Sequence, residues 1–307
     1  MRVAYLGNDP RSVPPLEALA ESPHDVVLVV TRDPRPAGRG GDLRPTPVAE
    51  TAGALRLPVV ETPTVKEGQG LESVRGSAPD VLAVVAYGEI LPPEVLSLPR
   101  VAPVNVHFSL LPAFRGADPV RRAILQGLET TGVTIIRMDE GLDTGPILLQ
   151  GEEPIREEDD AGSLGARLAD LGGRLLVETL DRLEAGRIEE RPQDDARATS
   201  APRLRPEEEW IDWSESAEAV WRRVRALAPD PGARTRFRGQ MIKVLRAVPV
   251  EARGDPGAVV EASNRRLVVG TGGGAVALED VVPEGRKRMS GPDFARGQRP
   301  ELGERFS

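Results

Sequence analysis

Two stretches of sequence decide the fold of the first half of the chain: Asp80-Val81-Leu82-Ala83-Val84-Val85-Ala86 and Ala102-Pro103-Val104-Asn105-Val106-His107. Each is a short, almost continuously apolar run, as is typical of a strand buried on both faces of a parallel sheet. Similar runs at residues 2–6, 25–30 and 57–60 alternate with helical patterns. Because such alternation builds a doubly wound α/β sheet, we expect that fold, with the functional residues at the carboxyl ends of its strands.

The second half of the chain has a different pattern. Leucines at helical spacing predict a long amphipathic helix over residues 160–186. Residues 190–205 are polar and aperiodic, and we interpret them as a linker between a domain at 1–189 and a domain at 206–307. After a helix predicted at 217–228, short strand-like runs favour a small barrel or sandwich; they lie at residues 241–248, 257–262, 266–270 and 275–281.

Composition excludes several classes of site. The chain has 307 residues, enough for about two domains. With no cysteine and only two histidines, His24 and His107, it has no disulfides, no thiolate metal site and no histidine-rich metal site, so we expect no metal. There is no apolar run long enough to cross a membrane and no secretory leader, so we expect a soluble, cytoplasmic protein without a membrane partner. Composition does not bear on the oligomeric state, for which we expect a monomer.

The net charge of −8 argues against a protein that coats nucleic acid nonspecifically. The charge is uneven, however. Residues 206–307 carry 17 Lys and Arg against 16 Asp and Glu, whereas residues 1–205 carry 23 against 32. The second domain, at +1, therefore leaves room for a selective anionic partner.

The chemistry-bearing residues concentrate at the end of the run that finishes with His107. Asn105 and His107 are two positions apart, so their side chains leave the same face of a strand. An amide can stabilise a developing oxyanion and an imidazole can exchange a proton near neutral pH, a combination that suits acyl transfer. For an isolated pair of this kind, a strand end that caps a turn is the favoured alternative.

A second segment changes that balance. Residues 138–146 form a predicted turn between strands at 132–138 and 147–151, and the turn contains Asp139 and Asp143. Aspartate is common in turns for conformational reasons alone. The functional alternative is that Asp143 reaches His107, orients it and favours its protonated form.

These two segments resemble the folate-dependent formyltransferases. The residues that carry the resemblance are Asn-x-His-x-Ser-Leu-Leu-Pro-x-x-Arg-Gly at 105–116 and Leu-Asp-Thr-Gly at 142–145. Further matches, to those members that act on methionyl-tRNA, are at 35–40, 85–92, 131–134, 211–213, 225–226 and 231–233. The resemblance covers nearly the whole chain, from Arg2 to about Gly297. The resemblance implies a Rossmann-like catalytic domain, with a doubly wound, mostly parallel sheet, followed by a smaller OB-like β-barrel domain.

The resemblance also implies an activity and its residues. The formyl donor would be 10-formyltetrahydrofolate and the acceptor the amino group of methionyl initiator tRNA, in translation initiation. Asn105, His107 and Asp143 would be the catalytic residues. The folate-binding residues would be Ser109, Leu110, Leu111, Pro112, Tyr87, Gly88, Ile90, Leu91 and Asp139.

Two alternatives keep the folate donor: another amine acceptor, such as a sugar nucleotide or a purine precursor, or water, which would make the protein a formyltetrahydrofolate hydrolase. The second domain favours tRNA, because a small acceptor does not require it. A noncatalytic RNA- or folate-binding relative is a third alternative, and the presence of Asn105, His107 and Asp143 argues against it.

The long gap between two predicted strands, residues 31–48, is rich in proline, glycine and arginine. Such composition is usual for a surface loop without fixed structure. In the alternative that the resemblance favours, the loop contacts RNA through Arg35, Arg39 and Arg44, with Arg39 as the principal contact.

Overall fold

The computed structural model describes residues 1–37 and 42–307. Their contacts divide into two compact units. The first comprises Met1–Pro119, Thr130–Pro154 and Gly165–Pro202; the second comprises Val120–Glu129, Ile155–Leu164 and Arg203–Ser307. The domain boundaries at 189 and 206 stay a prediction.

The first unit is built on a seven-stranded sheet. The strands of this part of the chain are β1 (Arg2–Gly7), β2 (Asp25–Thr31), β3 (Arg35–Ala37), β4 (Asp42–Arg44), β5 (Val59–Glu61), β6 (Val81–Val85), β7 (Ala102–His107), β8 (Thr130–Arg137) and β9 (Ile147–Pro154). The sheet order is β5-β2-β1-β6-β7-β8-β9, while β3 and β4 pair as a separate ribbon. The pairs from β5 to β7 are parallel, and those of β7 with β8 and β8 with β9 are antiparallel. The prediction of a mostly parallel, Rossmann-like sheet is confirmed.

Helices cover both faces of this sheet. The helices of the first unit are α1 (Val13–Ala20), α2 (Pro47–Ala54), α3 (Gly68–Ser77), α4 (Pro93–Leu96) and most of α6 (Ala161–Glu184), which is close to its predicted span. The intervening α5 (Pro119–Leu125) lies almost entirely in the second unit. Leu71 and Val74 of α3 and Val95 of α4 lie in one buried cluster with Leu82 and Val84 of β6. Both faces of β1 and β6 are therefore buried, as their apolar composition requires.

This packing fixes the direction of the β7 side chains. Asn105 is in register with Val84 in the parallel pair, so the two side chains lie on the same face, the one covered by α3 and α4. Val106 points the other way, towards α6, where a Cβ on Gly172 would lie 2.9 Å from it. Asn105 and His107 thus project from the face opposite to α6.

The second unit contains an antiparallel sheet in the order β10-β11-β14-β13-β12. Its elements are α7 (Ala217–Leu227), β10 (Ala233–Phe237), β11 (Gln240–Val250), β12 (Val259–Ala262), β13 (Leu267–Gly270), β14 (Ala275–Pro283), β15 (Met289–Ser290), which pairs with β14, and α8 (Gly291–Gln298). The four predicted strands are present, and β10 and β15 are not among the predicted strands. The predicted fold class of an α/β domain followed by a smaller β domain is confirmed.

The end of the chain closes this sheet. Ser307 exchanges backbone hydrogen bonds with Arg236 of the edge strand β10. Phe306 donates to Gly257, and Val259 of the opposite edge strand β12 donates to Glu304. Residues 304–307 therefore lie between the two edges and satisfy backbone groups that would otherwise be exposed. Phe306 also packs on Phe237, with ring centroids 4.8 Å apart, in the core of the unit.

Among the described residues, no helix is both long enough and apolar enough to cross a membrane.

Candidate active site

The carboxylate of Asp143 is the centre of the site. Its Oδ1 accepts a hydrogen bond from Nδ2 of Asn105 at 3.2 Å. Its Oδ2 lies 3.5 Å from Nδ1 of His107 and accepts a 2.8 Å hydrogen bond from the backbone N–H of Gly116. The three predicted catalytic residues therefore meet, although Asp143 is 36 positions from His107 and on another loop.

The other side of the imidazole is also held. Nε2 of His107 lies 2.9 Å from the carbonyl oxygen of Phe114. A carbonyl oxygen can only accept, so this hydrogen bond requires the proton on Nε2. In the neutral imidazole, Nδ1 then carries the lone pair and faces Asp143. The side chain is 6% exposed, which leaves it little freedom to turn.

The loops that supply these partners have unusual backbone conformations. Phe114 and Asp143 have φ angles of 62° and 55°, in the left-handed region that non-glycine residues rarely adopt. Gly116 has a φ of 118°, and a Cβ there would lie 2.9 Å from the carbonyl oxygen of Ala201. The left-handed turns aim the Phe114 carbonyl and the Asp143 carboxylate at the two sides of His107, and local strain of this kind is common at functional sites.

Three contributors to the site are missing from the sequence-based prediction. Phe114 and Gly116 act through backbone atoms, which no side-chain pattern reveals. Gln193 donates hydrogen bonds from Nε2 to the carbonyl oxygens of Asp143 and Gly145, both at 2.8 Å. It lies in the polar segment that we interpret as a linker, where periodicity carries no information.

Of the residues predicted to bind folate after β7, two have side chains that make their contacts within the protein. The buried Ser109 hydroxyl donates to the Ala113 carbonyl at 2.7 Å. Leu111 is buried in a small cluster with Ile136 and Ile147, whereas Leu110 and Pro112 are half-buried. The side chains of Ser109 and Leu111 therefore fix the conformation of this segment from within the core.

The residues predicted to bind folate after β6 divide in the same way. Tyr87 and Leu91 are buried in the cluster beneath α3 and α4, and burial raises the pKa of the Tyr87 hydroxyl, which keeps it protonated. Gly88 is exposed and has a left-handed φ of 82°. Ile90 has 67% of its surface exposed, which makes it an apolar side chain available to a ligand.

The turn that carries Asp143 contributes two more features. Asp139 is exposed and accepts hydrogen bonds from the Gly141 N–H at 3.0 Å and the Thr144 hydroxyl at 2.7 Å, so it stabilises the turn. Leu142, next to Asp143, is 59% exposed. An exposed leucine beside the half-buried Asp143 is a second apolar surface available to a ligand.

The predicted RNA loop includes the ribbon of β3 and β4. Arg35 and Arg44 are directly opposite each other in this antiparallel pair, and both are exposed. Opposed like charges destabilise a two-stranded pair unless an anion lies between or beside them. Arg39 lies outside the described residues.

No group of three or more acidic or histidine side chains suited to a metal ion occurs in residues 1–37 and 42–307. His24, the second histidine, is buried near the amino terminus, where its Nδ1 lies 3.2 Å from the Met1 nitrogen.

Two sequence families match the chain. Residues 1–180 match the formyl transferase family, and residues 203–299 match the formyl transferase C-terminal domain. The methionyl-tRNA formyltransferase of Pelotomaculum thermopropionicum is 43% identical over 300 residues, which are 97% of this chain and 96% of the relative. A methionyl-tRNA formyltransferase of Thermus thermophilus is 46% identical over 297 residues, with the same shares of both chains.

Solved structures show the fold at lower identity. HypX from Aquifex aeolicus, solved in complex with tetrahydrofolic acid, aligns with 99% of this chain and 48% of its own length, at a TM-score of 0.69 and 19% identity. The sugar 3N-formyl transferase WlaRD, solved with dTDP and 5-N-formyl-THF, aligns with 94% of this chain and 99% of its own, at a TM-score of 0.66 and 17% identity. Phosphoribosylglycinamide formyltransferase from Bacillus halodurans covers 60% of this chain and 95% of its own, at a TM-score of 0.50 and 28% identity.

The full-length identity to these relatives and the match to both domains place the chain in the methionyl-tRNA formyltransferase group of the formyl transferase family.

Proposed function

We propose that this protein transfers a formyl group from 10-formyltetrahydrofolate to the amino group of methionyl initiator tRNA, which gives formylmethionyl-tRNA for translation initiation. The observation that carries the proposal is the contact of one carboxylate, that of Asp143, with both Asn105 and His107. An amide donor, an imidazole and a carboxylate are the groups that formyl transfer to an amine requires. The identity to methionyl-tRNA formyltransferases over 97% of the chain supports the acceptor.

The reaction has a simple balance. The bond between the formyl carbon and N10 of the folate breaks, and a bond between that carbon and the amine nitrogen forms. The amine loses one proton and N10 gains one. The protein therefore has to stabilise negative charge on the formyl oxygen and move one proton between two nitrogens.

Asn105 supplies the stabilising donor. Its Nδ2 donates one hydrogen bond to Asp143 and, among the described residues, has no partner for its second hydrogen. That second N–H can donate to the formyl oxygen as charge develops there. Because Asp143 holds the amide before the reaction, the donor needs no reorganisation, and such a donor is typically worth about 10²–10³ in rate.

His107 moves the proton through Nδ1. Nε2 already bears a proton and is held by Phe114, so Nδ1 is the nitrogen that can accept one. The 3.5 Å between Nδ1 and Asp143 exceeds an ordinary hydrogen bond of about 3 Å, so Nδ1 can bond a reacting group instead. It takes the proton of the attacking amine, the imidazolium is stabilised by the Asp143 carboxylate, and the proton then passes to N10.

The residues available for folate fit a flat, partly apolar ring. Ile90 and Leu142 are exposed apolar side chains, one on the loop after β6 and one on the turn that carries Asp143. Ser109, Leu110, Leu111 and Pro112 are the predicted folate residues that follow His107 in the chain, and Asp139 stabilises the turn. Gly88, which has no side chain, would allow a close approach of the ring to the backbone.

The tRNA assignment includes a prediction for the loop. Arg35 and Arg44 are directly opposite residues of the ribbon and both are exposed, so their guanidinium groups are available to a phosphate or the edge of a base. Arg39, between them in sequence, stays a proposed contact. The cytoplasmic location and the monomeric state also stay predictions.

Another amine acceptor is the second candidate. The sugar 3N-formyl transferase aligns with 94% of this chain, so the presence of a second domain does not by itself exclude a small acceptor. Its identity is 17%, against 43–46% for the tRNA enzymes. Sequence identity, rather than the fold, therefore favours tRNA.

The test is an acceptor panel. Purified protein with 10-formyltetrahydrofolate is given methionyl initiator tRNA, methionyl elongator tRNA, free methionine, a dTDP-amino sugar, glycinamide ribonucleotide or no acceptor. We expect kcat/KM to be highest for the initiator tRNA. Equal rates on both tRNAs and free methionine, or release of formate without an acceptor at the same rate, would refute the proposal.

A further inference from the structure

The side chain of Gln193 makes four hydrogen bonds that join two loops of the site. Its Nε2 donates to the carbonyl oxygens of Asp143 and Gly145, both at 2.8 Å. Its Oε1 accepts from Nε and Nη2 of Arg115, at 3.1 and 2.8 Å. Both amide hydrogens and both acceptor positions are thus used, and one carboxamide connects the 139–146 turn to the 112–118 loop.

Each of these loops supplies a catalytic contact. The turn carries the Asp143 carboxylate. In the other loop, Arg115 stands between Phe114, whose carbonyl oxygen holds Nε2 of His107, and Gly116, whose N–H holds Oδ2 of Asp143. Gln193 therefore acts on both sides of His107 without touching the imidazole itself.

The residues that follow Gln193 hold the same loop by its backbone. The Thr199 hydroxyl accepts from the Phe114 N–H at 2.9 Å, and the Thr199 carbonyl oxygen accepts from the Arg115 N–H at 2.8 Å. Ala201 donates to the Arg115 carbonyl oxygen at 2.7 Å and accepts from the Asp118 N–H at 3.0 Å. The segment from 193 to 201 therefore stabilises the loop that contains the left-handed Phe114.

A surface role for Gln193 does not account for this geometry. Its neighbours from Asp194 to Arg197 are exposed, whereas Gln193 is half-buried with its amide turned inwards. Asp143 is held in a left-handed conformation, with φ at 55°, and such a conformation persists only where its surroundings determine it. The two hydrogen bonds to the Asp143 and Gly145 carbonyls are a direct determinant.

We propose that Gln193 is a positioning residue: its carboxamide fixes the Asp143 turn against the Arg115 loop and so sets the geometry of Asp143, Asn105 and His107. The inference rests on the proposed function only in taking these three residues to be catalytic. It also assigns a role in the site to a segment that connects the two halves of the sequence. Displacement of a catalytic group by about 1 Å can cost about 10²-fold in rate, so the effect falls on kcat.

The test uses two substitutions in the full-length protein. Gln193→Ala removes all four hydrogen bonds. Gln193→Glu keeps an acceptor for Arg115 but replaces the two donations to carbonyl oxygens by repulsion, so it separates the Asp143 contact from the Arg115 contact. Gln69→Ala is the matched control, because Gln69 is exposed on α3 and its side chain has no hydrogen bond among the described residues.

Two readouts are needed. For both Gln193 variants we expect kcat for formylation of methionyl initiator tRNA to fall by about 10- to 100-fold, with both KM values within about twofold of wild type. The second readout is the ¹⁵N spectrum of the imidazoles, in which the chain's only histidines, His24 and His107, report separately. We expect the Nε2-protonated pattern of His107 to be lost or averaged in the variants, while that of His24 stays unchanged.

An unchanged kcat, or an unchanged His107 pattern beside a reduced kcat, would overturn the proposal. So would a change in both histidines together with a lowered Tm, because that result indicates general unfolding. If the wild-type protein transfers no formyl group, the proposed function fails, and the His107 spectrum still decides whether Gln193 positions the site.

Discussion

Nε2 of His107 donates a hydrogen bond to the carbonyl oxygen of Phe114, 2.9 Å away. Phe114 has a left-handed φ of 62°, which directs this carbonyl towards the imidazole. In the neutral imidazole this hydrogen bond selects the tautomer protonated on Nε2, which leaves the lone pair on Nδ1, the nitrogen that faces Asp143. The proton chemistry of a single imidazole therefore depends on the conformation of a residue seven positions away.

His107→Ala removes the proposed proton carrier. We expect kcat to fall by about 10²–10⁴, the usual contribution of general acid–base catalysis, with the fold retained. His24→Ala is the control, because the His24 side chain lies beside the Met1 nitrogen, outside the site. Steady-state kinetics and circular dichroism check both variants; a His107→Ala variant with the wild-type rate would show that another group carries the proton.

Asn105→Ala removes the proposed hydrogen-bond donor to the formyl oxygen. We expect kcat to fall by about 10²–10³, with little change in either KM, because the contact strengthens only as charge develops. Asn105→Asp should be at least as damaging, since Nδ2 lies 3.2 Å from Oδ1 of Asp143 and a carboxylate there would repel it. Asn264→Ala, in an exposed turn of the second unit, should behave as wild type. A loss confined to KM would assign Asn105 to binding instead.

Gly116→Ala tests the close approach of two backbone segments. At a φ of 118° a Cβ is strained, and it would lie 2.9 Å from the Ala201 carbonyl oxygen. We expect a loss of about 1–3 kcal/mol in the free energy of unfolding, and reduced kcat because the Gly116 N–H holds Asp143. Gly76→Ala in α3 is the control: no atom lies within 4 Å of its Cβ, so stability should stay the same or rise by up to about 1 kcal/mol. Denaturant unfolding measures both; equal stabilities would contradict the prediction.

Glu208 makes the stability of the second unit depend on pH. Hydrogen bonds from Arg122, and then from Arg205, lower the pKa of Glu208 from 4.5 to about 2. Because the pKa is lower in the folded protein, the ionised form stabilises the fold above pH 4.5, and this stabilisation is lost as the pH falls from 4.5 towards 2. Glu208→Gln should therefore lower Tm at pH 7 and differ less from wild type at pH 3. Glu207→Gln, at an exposed neighbour, should show no such convergence. A constant difference in Tm across this range would contradict the assignment.

Arg35→Ala and Arg44→Ala test the ribbon of β3 and β4. If each guanidinium neutralises one phosphate, each variant should raise KM for tRNA. It should also reduce, by about one, the steepness with which the logarithm of the tRNA association constant falls with the logarithm of the salt concentration. The KM for folate should not change. Arg174→Ala, exposed on α6, is the control. Wild-type salt slopes in both variants would leave the ribbon without a role in binding tRNA.

Much of the fold follows from sequence patterns. The apolar runs that become β1, β2, β6 and β7 predict a parallel sheet because both faces of such strands are buried, and the leucine stripe of α6 repeats at the period of a helix. The predicted strands of the second unit are found for the same reason. β10 is not predicted because three of its five residues, Arg234, Thr235 and Arg236, are polar.

The candidate site also has features that sequence patterns predict and features that they do not. A strand alternates its side chains, so the spacing of Asn105 and His107 is enough to put both on one face. The predicted meeting with Asp143 also holds. Four of the predicted folate residues, Tyr87, Leu91, Ser109 and Leu111, have side chains buried in the protein, which the sequence could not distinguish from side chains that face a ligand.

The sequence by itself therefore determined the sheet and the two-domain pattern, because these depend on periodicity, and its resemblance to the formyltransferases predicted the three reactive side chains. Only the tertiary structure decided how they are oriented. The Phe114 carbonyl, the Gly116 N–H and the Gln193 amide come from loops whose left-handed turns have no period, and Gln193 meets Asp143 across 50 positions of chain. Such contacts depend on where the folded sheet brings the loops together, which local sequence does not encode.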